Sequence, residues 1–173
     1  MKEKHARSIV SPNNPEKARA YAFLLLKFRL RSENELKVRL KQKGFSEELA
    51  ASTVSFLKDK EFIDDRIFAK GWVFSRLKRP LGLRKIKQEL AQKGVAKEIV
   101  QDALAQANDN YSESQIVSQL AKQRFSKLKG IDPLKAKARV YGYLMRRGFS
   151  PDIIIEVIKD AQKGGCFPFL KDR

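Results

Sequence analysis

The sequence predicts an all-α fold, an elongated tandem array of three three-helix repeats, and three observations carry that prediction. Leucines, isoleucines and valines recur three or four apart along nearly the whole chain, while strand-like alternation is almost absent. Helix start and stop signals punctuate these periodic stretches at short intervals. One phrase also occurs three times, as LKQKGFSEEL, LAQKGVAKEI and LMRRGFSPDI, which is the signature of a repeat architecture.

Taken in chain order, Asn14 before Pro15 opens the first helix, near residues 15–29, with proline at the position whose N–H has no partner in any case. Ser32 with Glu35 reads as a capping box for 33–43, which Gly44 closes. A helix over 47–59 follows, and Asp64 caps the next, 65–78, with Ile63 and Phe68 placed as a hydrophobic staple and Pro80 beyond its end. Helices at 83–93 and 97–107 flank Gly94. Ser112 with Gln115 opens 113–128, with Tyr111 and Ile116 as its staple. Asp132-Pro133 opens 134–147, which ends at Gly148, and Ser150-Pro151 opens 151–162 before Gly164-Gly165.

Aligning the three phrases on their glycines fixes a register. Eight residues before lie Leu36, Ile86 and Val140; four before, Leu40, Leu90 and Leu144; one after, Phe45, Val95 and Phe149. Five after lie Leu49, Ile99 and Ile153, and ten after, Val54, Leu104 and Ile158. All are apolar, so the second and third helices of each repeat carry matching buried stripes. The organisation expected is a basic extension over 1–14, repeats over 15–60, 61–110 and 111–163, and a tail over 164–173. Units this small bury little alone and must stack on their neighbours.

Composition excludes whole classes of activity. The chain of 173 residues holds one histidine, His5, and one cysteine, Cys166, which removes intramolecular disulfides, Cys/His zinc sites and most histidine-based triads. An ordinary hydrolase or metalloenzyme, and with it a metal or cofactor, is therefore not expected. No run reaches the 18 or more apolar residues of a membrane span, and the N-terminus lacks a signal-peptide core, so a cytoplasmic, monomeric protein without membrane contact is expected.

Charge is the most informative functional feature. Lysine and arginine total 37 against 20 acidic residues, a net charge of +17. Residues 31–44 carry +3, 76–94 carry +6 and 122–148 carry +8, which leaves the remainder neutral. Each window contains the second helix of a repeat. Charge runs are most often solvated faces, but a solvated face needs no sign bias, and these windows hold 21 basic residues against four acidic. The candidates for binding a polyanion are Arg31, Lys37, Arg39, Lys41 and Lys43 in the first repeat, and Arg79, Arg84, Lys85, Lys87 and Lys93 in the second. In the third they are Lys135, Lys137, Arg139, Arg146 and Arg147. Stacking should align them into a basic stripe suited to a polyanionic partner or an acidic surface; where the partner is single- or double-stranded DNA, the contact is to phosphates without sequence preference.

Other chemistries fit less well. In a helix-turn-helix the last helix reads bases, yet the last helices here, SEELAASTVSFLKDK, AKEIVQDALAQ and SPDIIIEVIKD, are neutral to acidic. Asp64 and Asp65 could be imagined as a metal or acid/base pair, the basis of a nuclease reading, but a helix start explains both. Phe68 and Trp72, four apart, suit core packing better than base stacking. Phe167, Phe169 and Leu170, beside Cys166, either fold back or contact something else.

The run ARAYAFLLLKFRLRSENELKVRLKQKGF, followed by FIDDRIFAKGWV and GLRKIKQELAQKGV, resembles the bacterial RecX family, the regulators of the RecA recombinase; the resemblance spans residues 18 to 160. It rests on Arg31, Ser32, Glu35, Leu36, Leu40 and Gly44, on Asp64, Asp65, Phe68 and Ala69, and on Gly82, Lys85, Ile86, Glu89, Leu90, Lys93 and Gly94. LMRRGFSPDII carries it into the third repeat. The extension before Ala18 and the apolar tail after Lys163 depart from the pattern. The resemblance implies a non-enzymatic protein that lies in the groove of the RecA–DNA filament and inhibits ATP hydrolysis, strand exchange and repressor autocleavage.

Overall fold

The computed structural model describes residues 14–108 and 111–163. The basic extension with His5 and the tail with Cys166 lie outside the described residues. Among those described there are nine helices and no strand: α1 (Pro15–Phe28), α2 (Glu33–Lys43), α3 (Glu47–Asp59), α4 (Asp65–Leu77), α5 (Leu83–Gln92), α6 (Lys97–Asn108), α7 (Glu113–Ser126), α8 (Pro133–Arg146) and α9 (Pro151–Lys163). Each predicted helix is present, with ends shifted by at most two residues.

Local chemistry sets the boundaries. The Asn14 side chain accepts from the Lys17 N–H at 2.9 Å, Asp132 from Lys135 at 3.0 Å and Ser46 from Leu49 at 3.2 Å. Ser32 accepts from the Glu35 N–H while the Glu35 carboxylate accepts from the Ser32 N–H, a complete capping box. Ser112 accepts from the Gln115 N–H at 3.4 Å, and Asp64 Oδ1 from the Arg66 N–H at 2.6 Å. Gly44, Gly94 and Gly148 all have positive φ, at 104°, 75° and 81°, the left-handed closure that a side chain would strain.

The chain forms two compact units. The first comprises the described residues up to Lys70 together with Ala91–Val100. In it α1, α2 and α3 pack on one another around Ala18, Ala22, Leu36, Leu40, Phe45, Ala50, Val54, Leu57 and Ile63. The second comprises Gly71–Leu90 and the residues from Gln101 onward. There α7, α8 and α9 enclose Val117, Ala121, Phe125, Leu128, Ala136, Val140, Leu144, Phe149, Ile154 and Ile158. Of the aligned positions, those eight and four before the glycine and one after it are buried in all three repeats. The position five after it is only half-buried. The fully packed position on the third helix is instead six after, at Ala50, Val100 and Ile154. Phe68 is core, as expected, at 3% exposure.

Candidate functional site

In the first unit the residues of the repeated phrases converge on one polar junction at the start of α2. Ser32 Oγ, besides capping α2, donates to the Lys93 carbonyl at 2.6 Å. The Glu35 carboxylate accepts from Arg29 at 2.9 Å and from Lys93 Nζ at 2.6 Å. Burial pushes the Glu35 carboxyl up, but these two cations outweigh it and bring it down to about 2. Asp65 is 8% exposed and accepts the Glu33 N–H at 2.9 Å, so it serves the N-terminus of α2 although it begins α4. Its burial raises its pKa. Gly94 fits here because a methyl group on it would overlap the Asn34 side chain.

The second unit repeats the arrangement with different residues. Gly82 stands twelve residues before its phrase glycine, as Ser32 does, and its N–H donates to the Arg147 carbonyl at 2.9 Å. A methyl group on Gly82 would overlap the backbone of Gly148, and one on Gly148 would overlap Lys85. Arg147 Nη1 donates to the Pro80 carbonyl at 2.9 Å, and the Tyr111 hydroxyl donates to the Leu81 carbonyl at 2.6 Å. Burial, then the nearby Glu113 charge, pushes the Tyr111 phenol up to about 12. Glu89 accepts from Trp72 Nε1 at 3.0 Å and from Arg76 Nε at 2.6 Å, with the Arg76 guanidinium 4.2 Å from the Trp72 ring centroid. Trp72, expected in the core, is only half-buried, and a polar anchor holds its indole.

This divides the basic residues that the sequence singles out. Lys93 is ion-paired, Arg147 braces a loop with one of its N–H groups, and half-buried Lys85 packs against Gly148, so each of the three makes a contact within the fold. Arg31 is half-buried, with its Nε donating to the Leu25 carbonyl at 3.4 Å. Lys37 and Lys41 share Glu47 at 3.1 and 2.6 Å, and Arg39 reaches Gln42 at 3.5 Å. Lys43 is exposed, 5.5 Å from the Tyr21 ring centroid. Arg79, Arg84, Lys87, Lys135, Arg139 and Arg146 are exposed, and Lys137 is half-buried. The residue before the phrase glycine is basic in all three repeats. Lys93 and Arg147 are tied to a preceding repeat there, whereas Lys43 lies against the Tyr21 ring of its own repeat.

Sequence reasoning passes over Arg76 and Arg124. Arg76 answers Glu89 from a neighbouring helix, and no short-range spacing signals that. Arg124 belongs to the +8 window, but only the structure shows it against Tyr143, at 5.0 Å. Among the described residues no group of three or more His, Cys, Asp or Glu could hold a metal ion, and no helix is long and apolar enough to cross a membrane. Asp64 and Asp65 each accept a backbone N–H at a helix start.

Comparison with known proteins agrees with this repeat geometry. Residues 18–57, 64–104 and 112–158 match the first, second and third three-helix domains of RecX, in order. A Regulatory protein RecX from Mycobacterium sp. (strain KMS) is 36% identical over 152 residues, which cover 85% of this chain and 82% of that protein. One from Chlorobium limicola is 33% identical over 150 residues, covering 86% and 92%. A crystallised regulatory protein RecX superposes with a TM-score of 0.73 at 25% identity, covering 84% of this chain and 71% of the other. RecX from Lactobacillus salivarius shares the fold at a TM-score of 0.71 and 23% identity, covering 84% and 95%. With three tandem three-helix domains matched in order and relatives above 30% identity covered over more than four fifths of their length, this chain belongs to the RecX family of regulatory proteins.

Proposed function

We propose that this chain regulates the RecA recombinase, chiefly as an inhibitor, by binding the RecA–DNA filament in its groove. In doing so it restrains ATP hydrolysis, strand exchange and coprotease activity during DNA repair and the SOS response. The protein acts as a cytoplasmic monomer, with its working units at 15–60, 61–110 and 111–163. The observation that carries the reading is the placement of charge. The entire +17 excess falls in three windows around the second helices of RecX-type repeats, and exposed Arg79, Arg84, Lys87, Lys135, Arg139 and Arg146 stand within them. Such cations suit DNA phosphates and acidic filament residues alike. Regulation then follows from differential affinity, because a protein that binds one filament state better shifts the filament toward it.

The test is a DNA-dependent ATPase assay of RecA, run at a salt concentration where binding to bare DNA is negligible. Substoichiometric loss of ATPase is expected, and Arg84→Ala with Lys87→Ala should weaken it several-fold while leaving the melting temperature in place. Inhibition that appears only once the protein coats the DNA would instead support a free-standing, sequence-nonspecific DNA-binding module. That second reading is favoured by the +8 window, whose one carboxylate, Asp132, is engaged in capping α8.

A further inference from the structure

In the second unit, two guanidinium groups from different elements meet on one aromatic ring. Arg124, on α7, lies 5.0 Å from the Tyr143 ring centroid, and Arg147, at the C-terminal end of α8, lies 4.8 Å from it. Arg146 folds back so that its Nη1 lies over Gly142, the neighbour of Tyr143. Arg147 spends one N–H on the Pro80 carbonyl. Arg124 is different: its Nε is buried, and it is the one buried side-chain nitrogen or oxygen among the described residues that lacks a hydrogen-bonding partner. No hydrogen bond to the described residues holds this guanidinium; the Tyr143 ring does, which leaves its N–H fork for an acceptor from outside.

We propose that Arg124, Tyr143 and Arg147 form a clamp for one phosphodiester group of a DNA backbone. The tyrosine holds both guanidiniums by cation–π contact and presents their planar forks to the phosphate oxygens. Phosphate is favoured over a partner's carboxylate by the surroundings: residues 122–148 carry nine cations and one acid, and that acid caps a helix, so the site sits in a field suited to an extended polyanion. Because Tyr143 is engaged by the cations, the clamp grips backbone and reads no base. The proposal rests on the DNA-contacting part of the function above and adds a site that charge counting alone leaves out.

The experiment is fluorescence anisotropy of a fluorescein-labelled oligothymidylate titrated with the full chain over a range of salt concentrations. Arg124→Gln should weaken binding about five- to tenfold at low salt and lower the slope of log K against log salt by about 0.7, the loss of one single-strand phosphate contact. Tyr143→Phe should bind as the parent does, and Tyr143→Leu should follow Arg124→Gln. Should the variants fold poorly, the parent protein labelled with 15N gives the answer directly: the Arg124 Nε–H resonance shifts on adding the oligonucleotide. Parent-like affinity and slope in Arg124→Gln, an unmoved resonance, or no oligonucleotide binding by the parent at low salt would each overturn the clamp. Loss of RecA inhibition in Arg124→Gln with DNA binding intact would overturn it too, and would assign the guanidinium to a partner carboxylate. A parent protein that binds the oligonucleotide but leaves RecA ATPase untouched would sink the regulatory reading and leave the clamp standing.

Discussion

Single residues decide whether one repeat can seat against the next, and Gly82 shows how. Its N–H donates to the Arg147 carbonyl, and the approach is so close that no Cβ fits against Gly148. Gly82→Ala should therefore cost about 3 kcal/mol, the upper end of overpacking at a rigid contact. Gly130→Ala is the control. Gly130 has positive φ, at 82°, which Gly82 does not, but open space around it, so it should cost only about 1 kcal/mol for the strained backbone. Urea unfolding of the two variants measures the difference, and equal losses would refute close approach as the reason for Gly82. The sequence shows that glycine stands at position 82 within a motif, but not why, because the residues that crowd it lie far along the chain. The same limit applies to Asp65, which reads as a local helix start and is in fact an acceptor for the start of α2.

Helices were legible because their signals are local: caps, proline at the first turn and glycine at the end all act within four residues. Packing across elements was less so. Periodicity marked an apolar stripe on each third helix, yet it placed the core at the position five after the glycine, whereas the following residue is the buried one. Ala50 in the first repeat is a weak hydrophobic signal beside Leu49. The Ser32 capping box was visible, but its bond to the Lys93 carbonyl was not. Ser32→Ala should accordingly cost about 2 kcal/mol, one part for the cap and one for the carbonyl left without its donor. Ser112→Ala, which removes an exposed cap, should cost about 1 kcal/mol or less by the same thermal melts. Glu35 gives this junction a pH dependence. Its folded value of about 2 lies below the ordinary 4.5, so the stability it contributes is complete above pH 4.5 and is lost as the pH falls through the interval toward 2. Partial exposure limits that contribution to about 1–2 kcal/mol. Glu35→Gln should flatten the acid limb of stability against pH; an unchanged limb would show that the pairs with Arg29 and Lys93 contribute nothing.

At the scale of the whole molecule the question is which of the 37 basic residues serve binding, which serve the fold and which, like Arg147, serve both. Net charge located the three windows, but it could not separate Lys93 and Arg147, which tie repeats together, from Arg139 and Arg146, which are exposed. That separation predicts two kinds of variant. Replacing exposed Lys135, Arg139 and Arg146 by glutamine lowers the net charge from +17 to +14 and removes no ion pair that holds the fold. Melting temperature should stay within about a degree, while the slope of log K against log salt for single-stranded DNA should fall by about 2, at roughly 0.7 per lost phosphate contact. Replacing Lys93 and Arg147 lowers the charge almost as much but breaks the Glu35 pair and the brace on Pro80, so it should lower the melting temperature by several degrees. If charge alone governed the protein, the two sets would weaken DNA binding in proportion to the charge removed and leave stability alike. A triple variant with lowered stability and an unchanged salt slope would reverse the assignment and place the binding surface outside the third repeat.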